Sequence, residues 1–119
     1  MIDDIYKIYA IRCKENKKMY IGRTKQETEE RIKAHLTLLR KGKHTSKLMQ
    51  EDFKKYGEEK FEYYELETGL TFQDRDREHF YMDKYKTCNS KYGYNTRDQH
   101  SRKMEIKIIK GLPELLDKN

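Results

Sequence analysis

The sequence contains little of what builds disulfide, zinc or membrane proteins, since it has two cysteines and no long apolar run. Cys13 and Cys88 are too few for a disulfide framework and form no Cys-x-x-Cys pair, so we expect two free thiols in a reducing compartment. The N-terminus lacks the basic and apolar regions of a signal peptide, and no segment is long enough to span a bilayer. The sequence therefore predicts an intracellular protein without membrane contact, either cytoplasmic or, if it comes from a eukaryote or its virus, nuclear.

The chain is also poor in hydrophobic residues, which make up 34% of its 119 residues, whereas 40% are charged. With a mean hydropathy of -1.22, it lies near the limit beyond which chains do not fold. Ten tyrosines and four phenylalanines argue for a folded core, because disordered chains are poor in aromatic residues. The length fits one domain, and such a small domain has a modest core.

Acidic residues are missing from residues 31–47, which contain six Lys or Arg residues and two histidines. The whole chain has a formal net charge of +6. A solvated helix face usually mixes charges of both signs, so a stretch of one sign indicates contact with a polyanion. The net charge alone is weaker evidence, since many basic proteins bind nothing specific.

Hydrophobic spacing and turn residues predict an α+β fold with a small antiparallel sheet. Two strands over residues 5–13 and 19–22 form a hairpin, in which Tyr6 and Tyr9 lie on opposite faces. A first helix follows over residues 28–41, capped by Thr28 or a nearby polar residue, and a second helix begins at a Thr45 cap and ends at Gly57. A third strand is predicted over residues 60–66. The last helix runs from a "TFQD" capping box at Thr71 to about Tyr85.

Aromatic residues are expected to anchor the last two elements. In the third strand, Phe61 and Tyr63 are predicted on one side, with Leu66 as a further candidate for the same side. In the last helix, Phe80 and Tyr81 are expected to be among the anchoring residues.

Two tyrosine tripeptides open the chain, "KIY" ending at Tyr9 and "YIG" beginning at Tyr20. Their spacing resembles the paired signature of GIY-YIG nucleases, with Lys7 at the position of the first motif glycine. Further matches follow in the order of the family, and they are Arg31, His35, His44 in "KGKHTSKL", Glu78 in "DREHFY" and Asn95 in "GYN". The resemblance covers about residues 5–97, and it implies a three-stranded antiparallel sheet flanked by helices.

The resemblance also implies an activity and a domain organisation. Residues 1–97 are expected to form the nuclease domain, and residues 98–119 a helical tail that packs on this domain or on a partner. The implied reaction is hydrolysis of DNA phosphodiester bonds with one divalent ion, Mg²⁺ or Mn²⁺. A homodimer is one way in which such a chain would cut both DNA strands.

The resemblance implies catalytic roles for five residues. Glu78 is the expected ligand of the metal ion, since a carboxylate suits a hard, oxygen-seeking cation. Arg31 is expected to hold the scissile phosphate through its planar guanidinium. Tyr9 and Tyr20 are expected to orient the attacking water, and either becomes a candidate general base if the metal and nearby cations lower its pKa. His35, one turn after Arg31, is expected to relay a proton or to contact phosphate.

Simpler structural roles compete with these assignments. Glu78 would then pair with Arg75 or Lys84 on a helix surface, and the two tyrosines would only pack the hairpin. The expected substrate contacts are Lys7, Arg23, Lys33, Arg40, Lys43, His44 and Asn95. Among them, Asn95 is expected to brace the site by hydrogen bonds, and Lys7 either adds charge near the tyrosines or points to solvent.

Two other functions compete with the nuclease. One is a non-catalytic nucleic-acid-binding module on the same scaffold, and the other is a small protein–protein adaptor. Binding alone needs basic residues but no carboxylate within the site, so the complete residue set favours the enzyme. The stretch of one-sign charge weakens the adaptor.

Overall fold

The computed structural model describes residues 5–70 and 73–96. Thr71 of the predicted capping box and the predicted tail over residues 98–119 lie outside these residues. The elements are β1 (Ile5–Cys13), β2 (Met19–Thr24), α1 (Thr28–Arg40), α2 (Lys47–Tyr56), a short 3₁₀ helix (Glu58–Lys60), β3 (Phe61–Leu70) and α3 (Asp74–Tyr85). In the part of the chain that the structure describes, no helix is long and apolar enough to cross a membrane.

The sheet has three antiparallel strands in the order β2-β1-β3, so β1 has a neighbour on each side. Tyr9 and Ile11 are buried on one face among apolar residues of α1 and α2. Tyr6 and Ile8 are buried on the other face, where they pack with Met82 of α3. This arrangement confirms the predicted α+β fold and the opposite faces predicted for Tyr6 and Tyr9.

The cap of α2 differs from the prediction. Ser46, not Thr45, is the N-cap, and its hydroxyl accepts a hydrogen bond from the backbone N–H of Met49 at 3.4 Å. The same hydroxyl donates to the Tyr94 carbonyl at 2.8 Å, so tertiary contact selects Ser46 over its neighbour. Gly57 ends the helix as predicted, with a φ of +92° that favours glycine.

Leu66 lies on the opposite face of β3 from Tyr63. Three positions separate the two residues, so simple strand alternation places Leu66 on the face that α3 covers, and the prediction that it shares a side with Tyr63 is wrong. A bulge follows directly, since Tyr9 pairs with Glu65 whereas Ile8 pairs with Glu67. The extra residue keeps Glu67 on the same face as Leu66, where its carboxylate accepts from the Tyr6 hydroxyl.

Two further local predictions are wrong. Thr28 does not cap α1, because its hydroxyl donates to Glu65 of β3, and no side-chain hydrogen bond caps this helix. Phe80 does not anchor α3, since it is 45% exposed. Its ring lies 4.3 Å from the guanidinium carbon of Arg77, which covers an aromatic face that would otherwise meet water.

Two glycines lie directly against tyrosine rings. Gly22 of β2 pairs with Tyr9, and a Cβ at Gly22 would lie 2.3 Å from both Cζ and Oη of Tyr9. Gly69 of β3 pairs with Tyr6, and a Cβ there would lie 2.7 Å from Tyr6 Oη. Because neither glycine has a side chain, each ring can lie across an edge strand. Tyr9 does so on one face of the sheet and Tyr6 on the other.

We expect Gly22→Ala and Gly69→Ala each to lower the free energy of unfolding by about 1–3 kcal/mol, the usual cost of an added carbon in a close-packed site. Both tyrosines are 1% exposed, so neither ring can move without displacing its neighbours. Urea unfolding measures the loss, and Lys25→Ala at an exposed position is the control. Losses below about 0.5 kcal/mol in both glycine variants, which is the range of ordinary surface changes, would show that the rings move aside freely.

Candidate active site

A row of side chains links three elements around the Tyr9 hydroxyl. Tyr9 Oη lies 2.6 Å from Nε2 of His35 on α1. His35 Nδ1 lies 2.7 Å from Nε2 of His44, which follows α1. The backbone N–H of Ser46 donates to His44 Nδ1 at 2.9 Å. The sequence predicted His44 as a substrate contact among lysines after the helix, but His44 is 6% exposed and both of its ring nitrogens bond within this row.

Tyr20 stands beside this row. The hairpin pairs Tyr20 with Ile11 and Tyr9 with Gly22, so the two tyrosines are diagonal neighbours on one face. Their ring centroids are 6.5 Å apart, and the Tyr20 ring meets the His35 ring edge-on at 5.1 Å. The structure thus brings both motif tyrosines together with His35.

Burial sets the protonation states in this cluster. Burial, the Arg31 charge and His44 lower the pKa of His35 to about 3, and burial together with Arg31 lowers the pKa of His44. Burial raises the pKa of Tyr9 above its ordinary value, and Arg31 offsets only part of this effect. Both imidazoles are therefore neutral at neutral pH and Tyr9 keeps its proton. The general-base role of a tyrosine required the metal and nearby cations to lower its pKa, and at Tyr9 burial outweighs the Arg31 charge.

Glu78 enters the site from α3 and is 9% exposed. Its ion-pair partner is Arg23 of β2 rather than Arg75 or Lys84, with Arg23 Nε 3.4 Å from Glu78 Oε1. Arg23 also lies 2.9 Å from Oδ1 of Asp74, through Nη1. Burial, reinforced by Asp74, raises the pKa of Glu78 to about 7, although Arg23 lowers it. Arg23 therefore bridges two carboxylates at the position where the sequence predicted a substrate contact.

Asn95 fastens β2 at the site. Its side-chain Nδ2 donates to the Ile21 carbonyl at 2.9 Å, and its Oδ1 accepts from the Ile21 N–H at 2.8 Å. Ile21 lies between Tyr20 and Gly22 in the strand, so these bonds hold both at fixed positions. The contacts agree with the expected bracing role of Asn95, and its contact with substrate stays a prediction.

The other predicted substrate contacts lie nearer the surface. Three cations have carboxylate partners, and these pairs are Lys7 with Glu27 at 2.6 Å, Lys33 with Glu30 at 3.8 Å, and Arg40 with the two oxygens of Glu58 at 2.8 and 2.5 Å. Lys43 is exposed just after α1. Exposed ion pairs contribute only about 0–1 kcal/mol, so a polyanion can compete for these cations. Their binding role stays a prediction.

Sequence reasoning missed two members of the site. Asp74 precedes Glu78 by four residues on α3, a spacing that places both on one helix face, so helical periodicity carried a usable signal. Ser46 acts through its backbone N–H, and the sequence had placed the start of α2 at Thr45 instead. A backbone donor leaves no signature in residue type.

Glu78→Gln is expected to stabilise the protein at alkaline pH. The pKa of Glu78 rises from 4.5 to about 7 in the folded state, so the unfolding free energy falls as pH rises through this window. Removing the ionisable group should therefore raise stability by about 1–3 kcal/mol at pH 8, with little change at pH 4.

Thermal and urea unfolding across this pH range in EDTA measure the effect. Glu51→Gln, at an exposed position of α2, is the control and should show no such pH dependence. Equal stability of Glu78→Gln and the natural chain at pH 8 would contradict the burial of an ionising carboxyl.

Comparison with known proteins identifies the family of this chain. The family model of the GIY-YIG catalytic domain matches residues 5–95. A mutant of the catalytic domain of the intron endonuclease I-TevI is similar at 31% identity and a TM-score of 0.70, over 79% of this chain and 95% of that chain. The catalytic domain of the homing endonuclease I-TevI is similar at 29% identity and a TM-score of 0.68, over 76% of this chain and 98% of that chain. A search of curated proteins gave no match. The chain therefore belongs to the GIY-YIG family and is an endonuclease.

Proposed function

We propose that this endonuclease hydrolyses DNA phosphodiester bonds with one divalent ion held by Glu78 and a water oriented by Tyr9 and Tyr20. Divalent-metal dependence is general in the family, and a nuclease domain implies a DNA substrate. One observation carries the proposal. Tyr9 on β1, Arg31 on α1 and Glu78 on α3 lie close enough that the charges of Arg31 and Glu78 both shift the pKa of Tyr9.

The donor chemistry around Glu78 fits Mg²⁺ or Mn²⁺. Its buried carboxylate has Arg23 at 3.4 Å, a long contact that leaves the ionised form short of compensating charge. Among the described residues, no group of three or more His, Cys, Asp or Glu side chains could hold a metal ion. Phosphate oxygens and waters would therefore complete the set of hard oxygen ligands. When bound, such an ion neutralises phosphate charge and stabilises the leaving oxygen.

Arg31 would bind the scissile phosphate. It forms no ion pair with a carboxylate among residues 5–70 and 73–96, unlike Arg23 and Arg40. The positive charge of its guanidinium lowers the pKa of the nearby Tyr9 hydroxyl. A guanidinium can donate to two phosphate oxygens at once, which fixes orientation as well as charge. Arg31 would thus hold the phosphate next to the Tyr9 hydroxyl.

Tyr9 and Tyr20 supply the hydroxyls for the attacking water. At neutral pH Tyr9 is protonated and His35 is neutral, so hydrogen bonds position the water rather than a preformed phenolate. Tyr9 becomes a general base only if further positive charge lowers its pKa. The burial of both Tyr9 and His35 supports precise placement of the water.

A non-catalytic DNA-binding module is the alternative function. Exposed cations would suffice for it, and Lys41, Lys43 and Lys47 supply them between α1 and α2. Binding gains nothing from Glu78, a buried carboxylate that repels phosphate and costs stability when it ionises. The placement of Glu78 therefore supports catalysis.

Each chain carries one set of these site residues. We propose that one chain cuts one strand at a time, and the comparisons do not support a homodimer, which was one possible route to double-strand cleavage. We also propose an intracellular location. A DNA substrate and the two free cysteines, Cys13 and Cys88, support it.

Supercoiled plasmid tests the reaction and its ion. The full-length protein with Mg²⁺ or Mn²⁺ should convert plasmid to nicked circles before linear DNA, and EDTA should stop cleavage. Glu78→Gln keeps the side-chain shape but loses the anionic oxygen, so cleavage should fall on the order of 10²-fold or more while DNA still binds. Glu51→Gln should cut like the natural chain. Persistent nicking in EDTA, or by Glu78→Gln, would contradict the metal role.

Removal of single hydroxyls tests the two tyrosines. Tyr9→Phe and Tyr20→Phe should slow single-turnover cleavage by about 10²-fold or more if the hydroxyls position or activate the water. Tyr6→Phe is the matched control, because the Tyr6 hydroxyl bonds Glu67 on the opposite face of the sheet. It should lose about 1 kcal/mol of stability and keep its cleavage rate. Unchanged cleavage rates for both Tyr9→Phe and Tyr20→Phe would show that the two tyrosines only pack the hairpin.

A further inference from the structure

The row from Ser46 to Tyr9 has a donor of fixed direction at one end. A backbone N–H can only donate, so His44 Nδ1, 2.9 Å from the Ser46 nitrogen, must accept. Burial and Arg31 lower the pKa of His44, which agrees with a neutral ring. A neutral imidazole that accepts at Nδ1 carries its proton on Nε2. The tautomer of His44 is therefore set by the main chain.

The proton position on His44 in turn fixes the proton position on His35. His44 Nε2–H points at His35 Nδ1 across 2.7 Å, so this nitrogen of His35 accepts. The proton of neutral His35 then lies on Nε2, which is 2.6 Å from Tyr9 Oη. His35 is consequently the donor in its contact with Tyr9, and the tyrosine oxygen is the acceptor.

The opposite direction of the hydrogen bond between His35 and His44 is unfavourable. If His35 donated from Nδ1 to His44, neutral His44 would carry its proton on Nδ1 and face the Ser46 N–H across 2.9 Å. Two buried donors would then meet without an acceptor. Leaving a buried polar group unsatisfied is disfavoured enough to select one tautomer over the other.

We propose that His44 is a positioning residue that fixes the tautomer of His35 as the donor to Tyr9. Because the Tyr9 oxygen receives this N–H, its own proton points away from His35. His35 presents no lone pair to Tyr9 in this tautomer, so it does not take the Tyr9 proton. It instead stabilises negative charge that develops on the Tyr9 oxygen.

The inference rests on the proposed role of Tyr9, and it changes the expectation for His35. A proton relay from Tyr9 into the helix would need an accepting Nε2, which the row does not offer. A Tyr9 proton that leaves must therefore leave toward the substrate or water.

Nitrogen-15 NMR of histidines in the full-length protein reads the tautomers directly, because protonated and unprotonated ring nitrogens resonate apart. The chain has four histidines, and single substitutions assign them. We expect His35 and His44 both to carry their proton on Nε2 at neutral pH. A proton on Nδ1 of either ring, or a charged ring, overturns the proposal. This result is independent of cleavage, so it is distinct from a failure of Tyr9→Phe to slow the reaction.

Two amide variants test the consequence for catalysis. His44→Gln places an amide nitrogen where Nε2 lies and keeps a donor to His35, whereas His44→Asn is too short to reach it. We expect His44→Gln to retain most of the cleavage rate. His44→Asn should cut about 10-fold more slowly or worse at saturating DNA, with unchanged DNA affinity, and His35 should show a mixture of tautomers.

The two variants have separate outcomes. A natural cleavage rate in His44→Asn would overturn the positioning role. If His44→Asn does not fold, as its melting curve would show, the histidine spectrum of the natural chain and the rate of His44→Gln decide instead. A slow His44→Gln in which His35 keeps its proton on Nε2 would also overturn the role, because the tautomer would then not control the rate.

Discussion

The close approach of the Tyr9 ring to Gly22 is the contact on which the active site depends. It lets a tyrosine from the central strand lie across an edge strand, where its hydroxyl meets His35 of α1. Any side chain at Gly22 would occupy the volume of the Tyr9 ring. Glycine is therefore needed here because it has no side chain, and not because its backbone is flexible. Asn95 holds the same strand through both polar groups of Ile21, which keeps this geometry in register.

Desolvation is the second constraint, and it acts on Tyr9, His35 and Glu78. It keeps His35 neutral and Tyr9 protonated, and it raises the pKa of Glu78 to about 7. A buried carboxyl that ionises lowers stability until a cation compensates it, so the protein gives up folding free energy at the position where chemistry needs charge. Arg23 supplies part of that compensation while it also bridges to Asp74.

Much of the fold was predictable because its signals are local. The alternation around Tyr6 and Tyr9 assigned the two faces of β1, and Gly57 marked the end of α2. The errors arose where a distant contact overrode a local preference. Ser46 became the cap because its hydroxyl also reaches the carbonyl of Tyr94, and Thr28 donates to Glu65 of β3 instead of capping α1.

The order and spacing of the motif residues were enough to identify the family, because a shared fold brings residues from the same chain positions to one site. Residue type could not decide which partner each residue takes, since those partners are far apart in the chain. Arg23 turns to carboxylates of α3 and His44 turns inward to His35. Both outcomes depend on burial, which strengthens each polar contact and penalises each unsatisfied group. Only the packing of helices against the sheet creates that burial, and with it the protonation states on which the reaction depends.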